Sequence, residues 1–211
     1  MMTCSPRLAL VFALAIVVAP LSAMAQSYEQ HYRWCFDGGV TRDQQIEGCS
    51  AVIAGGREAP DALAEAYLFR GISLRRIGQP DRALQDYAQA IRIKPNYSQA
   101  FNSRCYLHAI SNRLQDALKD CNEALRLDGN NQYAYDSRAF TYLKLGMLDA
   151  SIADYNAALG LDPGRPYSLF GRGVARSRKG DKAGGRADMA AAQAKIPGIA
   201  DEFASYGVKA E

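Results

Sequence analysis

Apolar and small residues return along most of this chain on a single step of 34 positions. Gly71, Cys105, Ala139 and Gly173 form one column, Ala90, Ala124, Ala158 and Ala192 a second, and Tyr87, Cys121, Tyr155 and Met189 a third. Gly78, Asn112, Gly146 and Gly180 keep the same step, as do Pro95, Gly129, Pro163 and Pro197. Between these breaks the apolar spacing is that of amphipathic helices, as in "DRALQDYAQAIRI" and "LDASIADYNAALGL". The pattern predicts a unit of two helices, joined at the Gly/Asn column and ended at the Pro/Gly column. Proline cannot continue a helix, and glycine caps one. Small residues let the two helices approach closely. Such a hairpin cannot bury its apolar face alone, so successive copies must stack into an all-α array.

Two polar columns have no exception. Arg70, Arg104, Arg138 and Arg172 each precede an aspartate, Asp86, Asp120, Asp154 and Asp188, by 16 residues. Residues equidistant from the turn of an antiparallel hairpin lie side by side, so each arginine is level with its own acid. Structural ion pairs within the hairpins are the expectation, ahead of an arginine ladder for an anionic ligand.

"FRGISLRRIGQPDRALQDYAQAIRIKP" at 69–95 resembles a tetratricopeptide repeat, matching at Gly71, Gly78, Ala83, Tyr87, Ala90 and Pro95. "FGRGVARSRKGDKAGGRADMAAAQAKIP" at 170–197 is a weaker copy. Departures from the family pattern are Cys105 for its glycine, Cys121 for its aromatic, Gly129 for its proline, and Ser151 and Gly185 for an alanine. The resemblance implies a right-handed superhelical solenoid of antiparallel helix hairpins. Its four repeats would run over 64–97, 98–131, 132–165 and 166–197. Residues 26–61 then form a degenerate amino-terminal hairpin with its linker. Residues 198–211, with Ile199, Phe203 and Tyr206 at helical spacing, form a capping helix over the last repeat.

The first 25 residues are a different material. Arg7 is the only charge, and the apolar run Leu8 to Ala19 is followed by Pro20 and the small residues Ala23 and Ala25. A short positive start, a short apolar core and small residues describe a signal peptide cleaved after Ala25. The run is too short for a spanning helix, which needs about 20 apolar residues. A periplasmic or secreted location is therefore expected. Cys4 leaves with the signal, and Cys35, Cys49, Cys105 and Cys121 remain. An even number of cysteines in an exported chain favours disulfides. Turn symmetry pairs Cys105 with Cys121 and Cys35 with Cys49, each closing a loop worth about 3 kcal/mol in the chain-entropy model. A Cys4 zinc site and a redox catalyst are the disfavoured rivals, the latter because no Cys-x-x-Cys is present.

Positions at −6, −3, +1 and +4 from the Gly71 column share one stripe of each first helix. By resemblance this stripe lines the concave side, where the family holds peptides or helices. Its candidate partner-binding residues are Leu68, Ile72, Asn102, Tyr106, Tyr133, Asp136, Phe140, Tyr167 and Phe170. The aromatics among them could form a binding trough, or could pack neighbouring first helices together. Leu68 and Ile72 stand where the family's carboxylate clamp would need lysine and asparagine. Arg75, Arg76, Lys144, Arg178 and Lys179 fall at first-helix ends, where basic residues also complement the dipole.

Net charge is only +3 and no basic block stands out, which argues against a nucleic-acid partner. Two histidines, no phosphate loop and no Ser–His–Asp set leave no basis for expecting a metal, a cofactor or catalysis. The expectation is a non-catalytic scaffold or adaptor of the cell envelope that binds other proteins or peptide segments. Thiol–disulfide exchange and self-association are the alternatives.

Overall fold

The structure is a computed structural model that describes residues 21–210, with side chains from Ser27 onward. The apolar run at 8–19 and its leading Arg7 lie outside the described residues. Among the described residues eleven helices account for the regular structure: α1 (Leu21–Phe36), α2 (Arg42–Gly55), α3 (Pro60–Arg76), α4 (Pro80–Ile93), α5 (Ser98–Ile110), α6 (Leu114–Leu127), α7 (Gln132–Lys144), α8 (Leu148–Leu161), α9 (Pro166–Lys179), α10 (Lys182–Lys195) and α11 (Ile199–Ser205). None of the described helices is long and apolar enough to cross a membrane.

Consecutive helices pair as antiparallel hairpins, α1/α2, α3/α4, α5/α6, α7/α8 and α9/α10. At the turns of the last four hairpins stand Gly78, Asn112, Gly146 and Gly180, all with positive φ (77°, 60°, 75° and 107°). That backbone region is nearly free of strain for glycine and accessible to asparagine, which explains why no other residue type occupies the column. In the first hairpin Thr41 caps α2 in a reciprocal capping box with Gln44.

The hairpins stack into a solenoid with a definite sidedness. First helices touch first helices along the array, α1 with α3, α3 with α5, α5 with α7 and α7 with α9, whereas no second helix reaches the next second helix. The inner layer is therefore α1, α3, α5, α7 and α9, and it carries the concave face. Intrahairpin contact is close wherever a first helix offers a small residue. A Cβ on Gly71 would lie 2.7 Å from the Tyr87 ring, and one on Gly173 the same distance from Met189 Cγ and Gly185 O. In α5/α6 both of those positions are cysteine, and a Cys105–Cys121 disulfide joins them at a Cα separation of 5.4 Å. A second disulfide, Cys35–Cys49 at 4.5 Å, closes α1/α2, where Gly48 leaves room for the His31 carbonyl.

Each arginine of the 34-residue column meets its aspartate through two nitrogens. Arg70 holds Asp86 at 2.8 and 2.8 Å, Arg104 holds Asp120 at 2.7 and 2.7 Å, Arg138 holds Asp154 at 2.6 and 2.9 Å, and Arg172 holds Asp188 at 2.8 and 2.8 Å. A third nitrogen, Nη1, reaches the preceding hairpin from three of them. It donates to Ser50 Oγ from Arg70, to Asn122 Oδ1 from Arg138 and to Asn156 Oδ1 from Arg172. These guanidinium groups thus couple repeats as well as pin hairpins. The position that would serve Arg104 in the same way, 16 residues upstream, is the exposed Ala88.

This difference generates a prediction. Ala88→Asn costs about 0.6 kcal/mol of helix propensity but supplies Arg104 with a hydrogen bond to a charged group, worth about 1.5 kcal/mol. The thermal midpoint of the variant should rise by about 2–4 °C, the usual response to about 1 kcal/mol in a chain of this size. A fall in the midpoint would show that the bridges do not couple repeats.

Candidate functional site

The concave wall divides into an open half and a filled half. The open half is a groove of about 550 Å³ along α3, α5 and α7, bounded by the loop before α9. Its apolar floor includes Ile72, with Leu68 buried beneath. Asn102, Tyr106, Tyr133, Asp136 and Tyr167 line it, and Arg75, Arg76 and Arg165 form its basic rim. Arg75 lies over the Tyr106 ring at 5.0 Å, and Arg165 over the Tyr133 ring at 4.4 Å. Arg165 also approaches Asp136 at 3.5 Å, while Ser168 Oγ donates to the other Asp136 oxygen. Burial nonetheless pushes the Asp136 carboxyl above the usual range, against the opposing pull of Arg165. Two polar atoms in this groove, Asn102 Oδ1 and Arg165 Nε, are buried with no hydrogen-bond partner among the described residues.

The basic residues at first-helix ends have different fates. Lys144 Nζ donates to the Ala109 carbonyl, and burial lowers its pKa. Lys179 pairs with Asp149, and Arg178 donates to the Lys209 carbonyl. Arg75 and Arg76 have no carboxylate within ion-pair distance among the described residues. Burial, together with the like charges of Arg42 and Arg75, lowers the pKa of Arg76. Their positive potential is directed into the groove.

The filled half is occupied by the chain's own carboxy-terminal segment. After Pro197 and Gly198 the chain turns back, and α11 packs against α9 and α10, while the rings of Phe203 and Tyr206 reach on to α7 and α5. The Phe203 ring sits 4.7 Å from Phe170, 5.6 Å from Phe140 edge-on, and 6.5 Å from Tyr167 in a stacked arrangement. Tyr206 reaches Phe140 at 6.2 Å and Tyr106 at 6.5 Å. Tyr167 Oη donates to Glu202, whose other oxygen accepts from Tyr206. Beneath the Phe203 and Tyr206 rings of this strap the remaining cavity is about 20 Å³, whereas a more open space of about 330 Å³ lies where Ser205–Val208 pass Ile110, Lys144 and Arg178.

Two stretches, 64–97 and 133–165, match models of the tetratricopeptide repeat. Those two stretches are tetratricopeptide repeats. Solved structures agree on the fold of the repeat array. MamA 41-end from Desulfovibrio magneticus RS-1 superposes with a TM-score of 0.64 at 18% identity, over 81% of this chain and 93% of that one. An Arabidopsis OM64 TPR domain gives 0.54 at 22% identity, over 57% and 99%. The second TPR domain of human RPAP3, in complex with the HSP70 peptide SGPTIEEVD, gives 0.52 at 24% identity, over 56% and 98%. A search of curated protein sequences gives no significant match.

Within the tetratricopeptide array the nine candidate partner-binding residues separate by depth. Ile72, Asn102, Tyr106, Tyr133, Asp136 and Tyr167 line the open groove. Leu68, Phe140 and Phe170 are 2%, 5% and 0% exposed. Leu68 packs under α3 against the Tyr87 cluster, and the two phenylalanines lie beneath α11. In this arrangement the three are largely covered, Leu68 in the floor of the groove and the two phenylalanines beneath the carboxy-terminal segment. Sequence reasoning missed Arg165, which lies in a loop outside the periodic stripe, and Glu202, which belongs to the tail. The apolar spacing of Ile199, Phe203 and Tyr206 signalled that the tail docks, but not that it reaches α5.

Phe140→Ala should therefore act on stability. Emptying this site should cost about 3–5 kcal/mol, visible as a large drop in thermal midpoint. Tyr133→Ala, at a ring that is 50% exposed, should cost less than about 1 kcal/mol. Equal midpoints for the two variants would contradict the strap's coverage of Phe140.

Proposed function

We propose that this chain is a non-catalytic scaffold of the cell envelope that holds an acidic segment of a partner protein in the open half of its concave face. The observation that carries the reading is the groove itself, about 550 Å³ with an aromatic and amide lining and a rim whose Arg75 and Arg76 have no acidic partner among the described residues. Asn102 Oδ1 accepts hydrogen bonds, and Arg165 Nε donates them. Both suit the amide and carbonyl groups of an extended backbone or an acidic side chain. The peptide in the RPAP3 complex ends in acidic residues, which is compatible with this chemistry in a related fold. An envelope location is supported by the leader-like composition of residues 1–25 and by two disulfides, which persist in oxidising compartments. The disulfides are buried, with all four cysteines 0% exposed. That favours staples over thiol exchange, which needs an accessible sulfur.

The test compares capture of envelope proteins by the oxidised mature chain and by two charge-reversed variants. Arg75→Glu/Arg76→Glu should lose the captured partner by at least tenfold and weaken the salt dependence of binding. Arg113→Glu, on the outer face beside Asp116, should leave capture unchanged. Equal capture by all three proteins would place the partner elsewhere.

A further inference from the structure

The strap and the open groove share residues. Tyr106 and Tyr167 belong to both, and Glu202 of the strap projects its carboxylate into the groove that the arginines rim. We propose that residues 199–209 are an exchangeable occupant of the concave face. The partner segment that replaces them would be a short amphipathic helix of the same chemistry, with a carboxylate followed by two aromatics one turn apart, as in Glu202-Phe203-Ala204-Ser205-Tyr206. This inference rests on the groove-binding reading above and names the kind of partner it involves.

Three features carry it. The strap shows which chemistry the wall accepts. Phe203 fills the site between Phe140, Phe170 and Tyr167, Tyr206 bridges Phe140 and Tyr106, and Glu202 accepts a hydrogen bond from the Tyr167 hydroxyl at 2.9 Å. The segment has no helical stability of its own, because seven residues are too few to sustain an isolated helix. Apart from two backbone bonds to its own lead-in, Ile199 N–H to Ile196 O and Glu202 N–H to Gly198 O, it is held by side chains and by the bond from Arg178 to the Lys209 carbonyl. Finally, an acidic partner advancing along the groove meets Glu202, so its carboxylate competes for the same Tyr167 hydroxyl and the same positive field. Burial and the adjacent Glu202 push the Tyr167 pKa up to about 12.

The experiment uses the full mature chain and a fluorescent peptide of residues 198–211. A tethered strap competes at an effective concentration of the order of millimolar, so the wild-type chain should bind this peptide weakly. The full-length Phe203→Ala/Tyr206→Ala chain has lost the anchors of its own strap and should bind it at least tenfold more tightly. Adding Tyr106→Ala to that chain should reverse the gain. Helicity and thermal unfolding are recorded in parallel. Equal binding by wild type and double variant overturns the proposal, as does no binding by a folded double variant. A double variant that has lost its helicity also overturns it, because the strap is then an obligatory part of the core. Sedimentation showing a wild-type dimer that exchanges straps between copies would overturn the intramolecular assignment. Arg75 and Arg76 are untouched throughout, so failure here is distinguishable from failure of the acidic-groove reading, which the charge reversals test.

Discussion

Within each hairpin the two helices meet over a residue with almost no side chain. The Tyr87 ring occupies the space that a Cβ at Gly71 would need, and Met189 does the same at Gly173. Close approach brings Arg70 and its three equivalents level with their aspartates and lets both prongs of each guanidinium engage. Where the third hairpin, α5/α6, has cysteine at both positions, a covalent bond performs the same task. The amino-terminal hairpin lacks the column altogether and uses a disulfide with Gly48 at the contact. Five hairpins thus satisfy one constraint, intimate pairing of two helices, by different chemistries.

The concave face follows from that constraint. Tightly paired hairpins stack through their first helices, so side chains on one stripe of α3, α5, α7 and α9 converge on a common wall. A wall of Ile72, Tyr106, Tyr133, Phe140, Tyr167 and Phe170 is too apolar to stand fully in water. The chain covers its carboxy-terminal half with α11 and leaves the amino-terminal half open. Lys144, Arg178 and Lys179 are absorbed near the covered end, while Arg75 and Arg76 at the open end have no acidic partner among the described residues. The asymmetry gives the groove its charge and its direction.

The repeat was legible in the sequence because it is a one-dimensional property. Spacing of Gly, Pro and small residues specifies helix, turn and hairpin contact, and equidistance from a turn specifies which residues of a hairpin are neighbours. The stripe of the concave wall was legible for the same reason, since helical angles follow from residue number. What the sequence did not show is which part of the stripe meets solvent. Phe140 and Tyr133 occupy similar places on α7, yet one is 5% and the other 50% exposed. The difference comes from ten residues at the end of the chain, outside the repeat, whose path depends on the bend at Pro197–Gly198. Arg165 escaped notice for a related reason, since a loop residue has no helical phase to read.

The account turns on the strap lying in the groove of the intact molecule. Proton–proton nuclear Overhauser contacts among the aromatic rings of the oxidised protein test this directly. Phe203 should show contacts to Phe140 and Phe170, and Tyr206 to Tyr106. A folded chain whose Phe203 and Tyr206 rings contact only α10, or no other helix, would contradict it.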